Sequence, residues 1–222
     1  MMLLTLWNIQ LSRYSGQTDI CVGTPVAGRH HQGTEQLIGF FVNAIVMRND
    51  LSDNPSFIDL LKQVKTTVLE AFAHQDVAAE LVVEAVVKER NLSYSPIAQV
   101  AFALQNLPIQ PHGHTDLVIE PVEVEGVSAK YDMTLSLWES NGRLDANIEY
   151  NTDLFYKDSM ECIAYHFETL IRGVVKSPTQ SIDYFDLMSP DALAELLNVN
   201  ARQTEMILPL STTQRDLYLE TI

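Results

Sequence analysis

Apolar side chains recur at regular spacings along the chain, and these spacings predict its elements. Apolar residues at three- and four-residue steps between positions 3 and 14 predict an amphipathic helix that ends at Gly16. No capping side chain precedes this helix, as is typical of a helix cut partway along. A β-rich run follows at residues 19–28. The run FFVNAIVMR, residues 40–48, is almost continuously apolar and predicts a strand covered on both faces, interrupted only by Asn43.

The clearest helical pattern covers residues 54–76, where Asn54 is predicted as the N-cap and Pro55 as the first helical residue. A shorter helix is predicted within residues 78–89. A buried strand that ends at Asn106 follows, and after a loop with two prolines a further strand is predicted at 117–125.

The second half of the chain contains a hairpin signal at residues 131–151, with Asn141 and Gly142 at the turn. A long helix is predicted from Asp158 to the stop before Pro178, with Asp158 and Glu161 in the manner of a capping box. A short helix is predicted at 189–201. A hairpin among alternating helices and strands indicates a mixed β-sheet packed with helices, in an α/β or α+β layer fold.

Composition narrows the class of protein. The chain has 222 residues, 46% of them apolar, enough for one large domain or two small ones. Its formal net charge of -15 argues against nucleic-acid binding and does not favour an anionic membrane surface. The apolar start is too short and too polar to span a bilayer. Cys21 and Cys162 form no disulfide framework or metal spacing, so a reducing cytoplasm is the expected compartment.

Several motifs follow one another in an order that resembles the condensation domains of nonribosomal peptide synthetases. They are SRYSGQTDICVGTPVAGR, LIGFFVNAIVMRNDLSDNPSF and LLKQVKTTVLEAFAHQD, followed by VKERNLSYSPIAQVAFALQN and AKYDMTLSLWESNGRLDANIEYNTDLF. The resemblance covers roughly residues 3–197. The family pattern I-G-x-F-V-N, with its downstream arginine, is met by Ile38, Gly39, Phe41, Val42, Asn43 and Arg48.

Two family motifs are met only in part. In the pattern H-Q-D-x-P-F-E, Ala78 and Ala79 stand where proline and phenylalanine are usual. Ala98 stands where a phenylalanine is expected before Gln99. These departures bear on the packing of that region rather than on the family.

The resemblance implies a fold like that of chloramphenicol acetyltransferase, in which two similar halves form a V around a tunnel. It implies a catalytic H-H-x-x-x-D-G motif in the first half, whose second histidine deprotonates the attacking amine or stabilises the tetrahedral intermediate. This chain resembles the second half, over residues 1–197. Residues 198–222 are interpreted as a linker and, through Ser211, Gln214, Leu217 and Tyr218, as the possible start of a following condensation-type domain, with an ordinary linker helix as the alternative.

The adjacent histidines His30 and His31 come close to the catalytic spacing. However, Glu35 replaces the aspartate and Gln36 the glycine, and the stretch directly follows GTPVAGR, where the family has a variable loop. We therefore interpret both as loop residues and assign no catalytic residue. No metal site is predicted, because the spaced pair His112 and His114 has no further ligand nearby. His74 is expected at a helix end and His166 as a half-buried packing residue.

The candidate residues are therefore tunnel or interface residues. By resemblance, Arg29 is a candidate to pair with the carboxylate of the catalytic motif, and its alternative is an ordinary loop residue. Asn43 and Asn106 are candidates to face the tunnel, and their alternative is a hydrogen-bonded core amide. The complete set is Arg29, Gly39, Phe41, Asn43, Arg48 and Asn106.

The implied activity joins an acyl or peptidyl thioester on one carrier protein to the amine of an aminoacyl thioester on another. Both substrates are tethered to phosphopantetheine, with no metal or nucleotide, and the isolated chain is expected to be inactive. The expected partners are the N-terminal half, peptidyl and acyl carrier proteins and adjacent synthetase domains, and exposed apolar surface makes self-association likewise expected. The alternatives are a non-catalytic scaffold domain and a stand-alone acyltransferase of the same superfamily.

Overall fold

A computed structural model describes residues 1–29, 33–34, 37–88, 94–105, 128–140, 142–189 and 192. Within these residues the chain forms helices and strands in a mixed order that begins with a helix. In chain order they are α1 (Met2–Ser15), β1 (Asp19–Val26), β2 (Asn43–Asp50), α2 (Phe57–Ala73), α3 (Ala79–Val86), β3 (Val100–Gln105), β4 (Met133–Ser140), β5 (Arg143–Tyr150), α4 (Lys157–Lys176) and a 3₁₀ turn (Ile182–Tyr184).

The five strands form one mixed sheet in the order β2-β1-β3-β4-β5. The β1–β2 and β4–β5 pairs are antiparallel, whereas β3 runs parallel to both of its neighbours. The pairing of β1 with β3 is short and covers only Val22 and Gly23 on β1. The expected mixed sheet packed with helices is therefore confirmed.

One face of the sheet carries the core, which α1, α2 and α4 cover. Val22 and Met47 are paired across β1 and β2 and both belong to this core, and Leu135 of β4 continues it. Helix α1 is buried from Leu4 to Gln10 and ends where Gly16 takes the left-handed conformation, φ 68°, as the sequence predicted. The buried stripe of α4 is equally regular and consists of Met160, Ile163, Phe167, Leu170 and Val174.

The structure corrects the predicted strand at residues 40–48. Strand β2 begins at Asn43, and it is an edge strand whose buried residues alternate rather than a strand covered on both faces. Ile45 and Met47 face the core, while Arg48 is exposed. Phe40 lies before the strand and is 88% exposed. A continuous apolar run does not distinguish a buried strand from an exposed apolar segment joined to an alternating one.

Two predicted helix starts are also wrong. Ser56 rather than Asn54 caps α2, because its hydroxyl accepts a hydrogen bond from the Asp59 N–H at 3.2 Å. Asn54 instead has a positive φ of 45°, and its side chain accepts from the Asp183 N–H at 3.1 Å. Helix α4 begins after Tyr156 with no side-chain cap, so the predicted capping box does not form.

The hairpin of β4 and β5 is confirmed, with Gly142 at the turn in the left-handed conformation, φ 73°. Its second strand is less buried than the alternation predicted, because Leu144 and Ala146 are exposed at this sheet edge. The predicted strand at 117–125 and the 198–222 tail lie outside the described residues, as does almost all of the predicted helix at 189–201. No helix in the described part of the chain is both long and apolar enough to cross a membrane.

Candidate functional site

The connection between β1 and β2 contains three of the six predicted site residues, and Arg29 organises it. The Arg29 guanidinium donates to the carbonyl oxygens of Thr34 and Leu37, each at 2.6 Å, and to that of Gly39 at 3.1 Å. It also lies over the Phe41 ring, 4.4 Å from the ring centre. Arginine suits this position because its planar fork presents several donors at once.

Glycine is required at the start of this connection. Gly28 has φ 63°, which disfavours any other residue, and a Cβ there would lie 2.0 Å from the Phe41 carbonyl oxygen. The two ends of the connection therefore approach each other closely, just beyond the last β1–β2 pair, Val26 with Asn43. The Phe41 ring also covers Gly39, where an added Cβ would lie 3.0 Å from Cε2 of that ring.

Asn43 fixes the segment between α2 and α3 to the start of β2. Its amide nitrogen donates to the carbonyl oxygens of Gln75 and Val77, at 2.8 and 2.7 Å. Its amide oxygen accepts from the Ala79 N–H at 3.1 Å, and Ala79 is the first residue of α3. Asn43 is therefore a fully hydrogen-bonded amide, and these contacts set where α3 begins.

The 37–42 segment carries apolar side chains into solvent. Ile38 is fully exposed and Phe40 is 88% exposed, and Leu37 and Val42 are each about half exposed. A contiguous exposed apolar patch of this kind is typical of an interaction surface. Because the Arg29 hydrogen bonds hold the backbone beneath it, these side chains are presented by an ordered loop.

A cavity of about 350 Å³ lies next to this connection, between β2, α3 and the segment that leads into β3. We call it the Ala79 cavity. Its lining is mostly small and apolar, with the buried residues Gly23, Ile45 and Ala98 at its inner end. His74 and Pro96 are exposed and lie at its rim. The other lining residues are Ala44, Val46, Ala71, Val77, Ala79, Val82, Val83, Ser95, Ile97 and Tyr131.

Arg48 is separate from this group. It pairs with Asp19 across β1 and β2 through two hydrogen bonds, at 2.8 and 2.7 Å. The hydrogen bonds from Arg48 lower the pKa of the Asp19 carboxyl, and the same contact raises the pKa of Arg48. Both groups are exposed, so the pair contributes little to stability. Five residue-to-residue steps along β2, roughly 17 Å at about 3.4 Å per step, lead from Asn43 to Arg48.

The structure thus brings together Arg29, Gly39, Phe41 and Asn43 and leaves Arg48 apart. The remaining candidate, Asn106, lies outside the described residues, as do His30, His31, His112 and His114. His74 is the C-cap of α2, as predicted. His166 is half buried and accepts or donates a 2.6 Å hydrogen bond with the Tyr14 hydroxyl, and burial lowers its pKa.

The sequence did not reveal two features of this region. It did not predict exposure of Ile38 and Phe40, because the apolar run hides where the strand begins. It also did not predict the Ala79 cavity, although two of the lining residues, Ala79 and Ala98, are departures from the family pattern. The cavity could have been predicted from these small residues, because they occupy positions where a large residue is usual.

Through its described residues, the site offers apolar surface and hydrogen bonds to backbone groups. Within the described ranges no group of three or more histidine, cysteine or acidic side chains is placed to hold a metal ion. Both cysteines are free, and burial raises the pKa of the Cys21 thiol. This arrangement can bind an apolar group, hold it in position and exclude water from it.

Comparison with known proteins identifies the family. A model of the condensation domain matches residues 1–197. One polypeptide of the linear gramicidin synthase of Brevibacillus parabrevis is 47% identical over 199 residues, which are 89% of this chain and 3% of that protein. Another polypeptide of the same synthase is 42% identical over 223 residues, 100% of this chain and 4% of that protein. The chain belongs to the condensation domain family.

Solved structures give the same result for the fold. A four-domain nonribosomal peptide synthetase bound to AMP and glycine superposes with a TM-score of 0.76 at 26% identity, over 85% of this chain and 15% of that one. The X-domain from teicoplanin biosynthesis superposes with a TM-score of 0.73 at 25% identity, over 84% of this chain and 43% of that one. The chain therefore spans less than half of the length of each of these four relatives.

Proposed function

We propose that this chain is the C-terminal half of a condensation domain with the chloramphenicol acetyltransferase-like fold, and that it forms peptide bonds only together with an N-terminal half. Its substrates are then thioesters tethered by phosphopantetheine to carrier proteins. In the reaction the amine of one substrate attacks the thioester carbon of the other. The C–N bond forms, the C–S bond breaks, and the amine proton leaves with the released thiol.

The residues of this chain contribute position rather than proton transfer. The 222 residues contain no complete H-H-x-x-x-D-G motif, since the stretch from His30 to Gln36 lacks its aspartate and final glycine. Arg29 and Asn43 instead hold a rigid rim beside the Ala79 cavity. The proton-handling histidine is assigned to the other half.

The observation that carries this proposal is the exposed 37–42 segment within a chain whose residues 1–197 match the family. An ordered loop with a fully exposed Ile38 and a largely exposed Phe40 is the arrangement expected where a second half packs. That this chain covers 43% of a single X-domain chain supports a half-domain.

Reconstitution tests the proposal. The full chain is mixed with an N-terminal half from a condensation domain of a linear gramicidin synthase, and both carrier proteins are loaded with their thioesters. We expect dipeptidyl thioester from the mixture and none from either half alone. Product from this chain alone, or none from a mixture in which the halves demonstrably bind, would contradict the proposal.

A matched control separates catalysis from assembly. In the N-terminal half, the second histidine of H-H-x-x-x-D-G is replaced by alanine, which removes the imidazole. We expect this half to bind the chain unchanged and to yield no product.

A second candidate is supported by one comparison. An X-domain in complex with OxyB from teicoplanin biosynthesis superposes with a TM-score of 0.71 at 26% identity, over 85% of this chain. A related fold thus serves there as a binding module, which favours a non-catalytic scaffold role as the alternative. Reconstituted halves that bind a partner enzyme but form no peptide bond would support that alternative.

A further inference from the structure

The Ala79 cavity is made by small side chains rather than by a gap between elements. Four alanines and one glycine contribute to its lining, and two of these alanines, Ala79 and Ala98, are among the positions at which this sequence departs from the family pattern. The inner end is well packed. A Cβ added at Gly23 would lie 3.3 Å from Cε1 of Tyr131 and 3.6 Å from the Ala98 Cβ.

The walls of the cavity are held in place. Asn43 binds the backbone on either side of the turn that precedes α3, and its bond to the Ala79 N–H fixes the first residue of that helix. Ile45 of β2 forms part of the opposite wall and is 7% exposed. A cavity with fixed walls discriminates between ligands by size.

Its size and lining indicate the class of ligand. At about 350 Å³ the cavity is more than twice the volume, about 150 Å³, that suffices for an apolar protein cavity to bind benzene. Valine, isoleucine and alanine side chains dominate the lining, with His74, Ser95 and Tyr131 as its polar members. The space therefore suits a medium-length or branched aliphatic group rather than a charged one.

We propose that the Ala79 cavity binds the aliphatic group of a pantetheine-tethered substrate, and that Ala79 and Ala98 set the size of the group that is accepted. This proposal rests on the proposed function only in that the tether is pantetheine. The binding of an aliphatic group to the cavity does not depend on it. Two groups are apolar and aliphatic, as this cavity requires. One is an acyl chain on the thioester substrate, and the other is the side chain of the aminoacyl substrate.

Binding to the full chain is measured first, without any partner. The probes are octanoyl and acetyl pantetheine analogues in which an amide replaces the thioester, titrated by calorimetry. Since each buried methylene strengthens binding by about fourfold, the octanoyl probe should bind at least about tenfold more tightly than the acetyl probe. Equal affinities for the two probes would overturn the proposal.

Substitution at Ala79 assigns the binding to this cavity. Ala79→Phe fills the space and should remove most of the preference for the octanoyl probe, while the affinity for the acetyl probe stays the same. Ala85→Phe is the matched control, because Ala85 lies on the same helix, is exposed and does not line the cavity. If Ala79→Phe fails to fold, Ala79→Val should give a smaller loss in the same direction. Equal effects of the Ala79 and Ala85 substitutions would contradict the assignment.

The reconstituted domain then distinguishes the two sources of the aliphatic group. Ala79→Phe is tested with octanoyl and acetyl donors, and separately with leucyl and alanyl acceptors. A lost preference in one series assigns the cavity to that substrate, and unchanged preferences in both would overturn the proposal. If the probes bind the chain but the reconstituted halves form no peptide bond, the proposed function fails while the cavity assignment stands.

Discussion

The helix-covered face of the sheet and the region around the 37–42 segment treat apolar side chains in opposite ways. On the helix-covered face, Leu60, Leu135 and Leu170 are at most 1% exposed. In the other region, Phe40 and Val42 remain exposed at 88% and 51%. The apolar side chains of the first region are covered by helices in the described part of the chain. Those of the second region are exposed to solvent. The residues that form the core are therefore in different parts of the sequence from the residues that we assign to binding a partner.

The largest effect is expected in the core. Leu135→Ala removes a 1% exposed side chain on the inner strand β4 and should lower the free energy of unfolding by about 2 to 5 kcal/mol in urea denaturation. Ile38→Ala, its counterpart in the exposed region, should change it by no more than about 0.5 kcal/mol. Comparable losses in the two variants would mean that the 37–42 segment is packed within the chain.

A smaller loss is expected at Asn43. Asn43→Ala leaves the Ala79 N–H and two backbone carbonyls without their partner and should destabilise the chain by about 1 to 3 kcal/mol in the same assay. Asn147→Ala is the matched control, because Asn147 is an exposed amide on β5. If the two variants are equally stable, Asn43 does not hold the start of α3.

Arg29 is expected to affect local order more than global stability. Arg29→Lys keeps the charge but loses the fork that binds three carbonyl oxygens. Amide hydrogen exchange at Leu37 in the 37–42 segment, whose N–H donates to the Thr34 carbonyl oxygen, should accelerate by about tenfold, since Arg29 binds this carbonyl oxygen and one charge-assisted hydrogen bond contributes about 1.5 kcal/mol or more. Arg143→Lys, at an exposed position of β5, should leave exchange in this segment unchanged. Uniform acceleration along the whole chain would point instead to global destabilisation.

The smallest effect concerns pH. Burial lowers the pKa of His166 from its ordinary 6.5, so the folded state favours the neutral imidazole that bonds the Tyr14 hydroxyl. Above pH 6.5 the imidazole is neutral in both states and this contribution is complete. It is lost as the pH falls below 6.5 through the lowered pKa. The melting temperature should therefore decrease slightly more between pH 7.5 and 5.5 than in His166→Gln, and identical profiles would contradict this.

Local patterns predicted the elements whose signals lie in consecutive residues. The helix ending at Gly16 and the hairpin turning at Gly142 both depend on glycines in the left-handed conformation at the expected places. The cap of α2 was misassigned because Asn54 and Ser56 are both good caps, and the choice depends on the Asn54 contact with Asp183, which is distant in sequence.

The site was predictable only in part. The resemblance singled out Arg29, Gly39, Phe41 and Asn43, which the structure places at one end of the β1–β2 pair. It did not reveal that Arg29 binds carbonyl oxygens of its own connection. Every residue has the same backbone carbonyl group, so a sequence does not indicate which of these groups accept a hydrogen bond. The edge position of β2 was equally hidden, since it depends on which strands pair across long separations.

The affinity between this chain and an N-terminal condensation half tests the central claim most directly. We expect the halves to bind, and Phe40→Ala to weaken binding by at least about tenfold, as is usual when a buried interface aromatic is truncated. Leu144→Ala, at an exposed apolar position on the opposite edge strand β5, is expected to leave binding unchanged. Absence of binding, or equal weakening by the two substitutions, would contradict the assignment of the 37–42 segment to the interface between the halves.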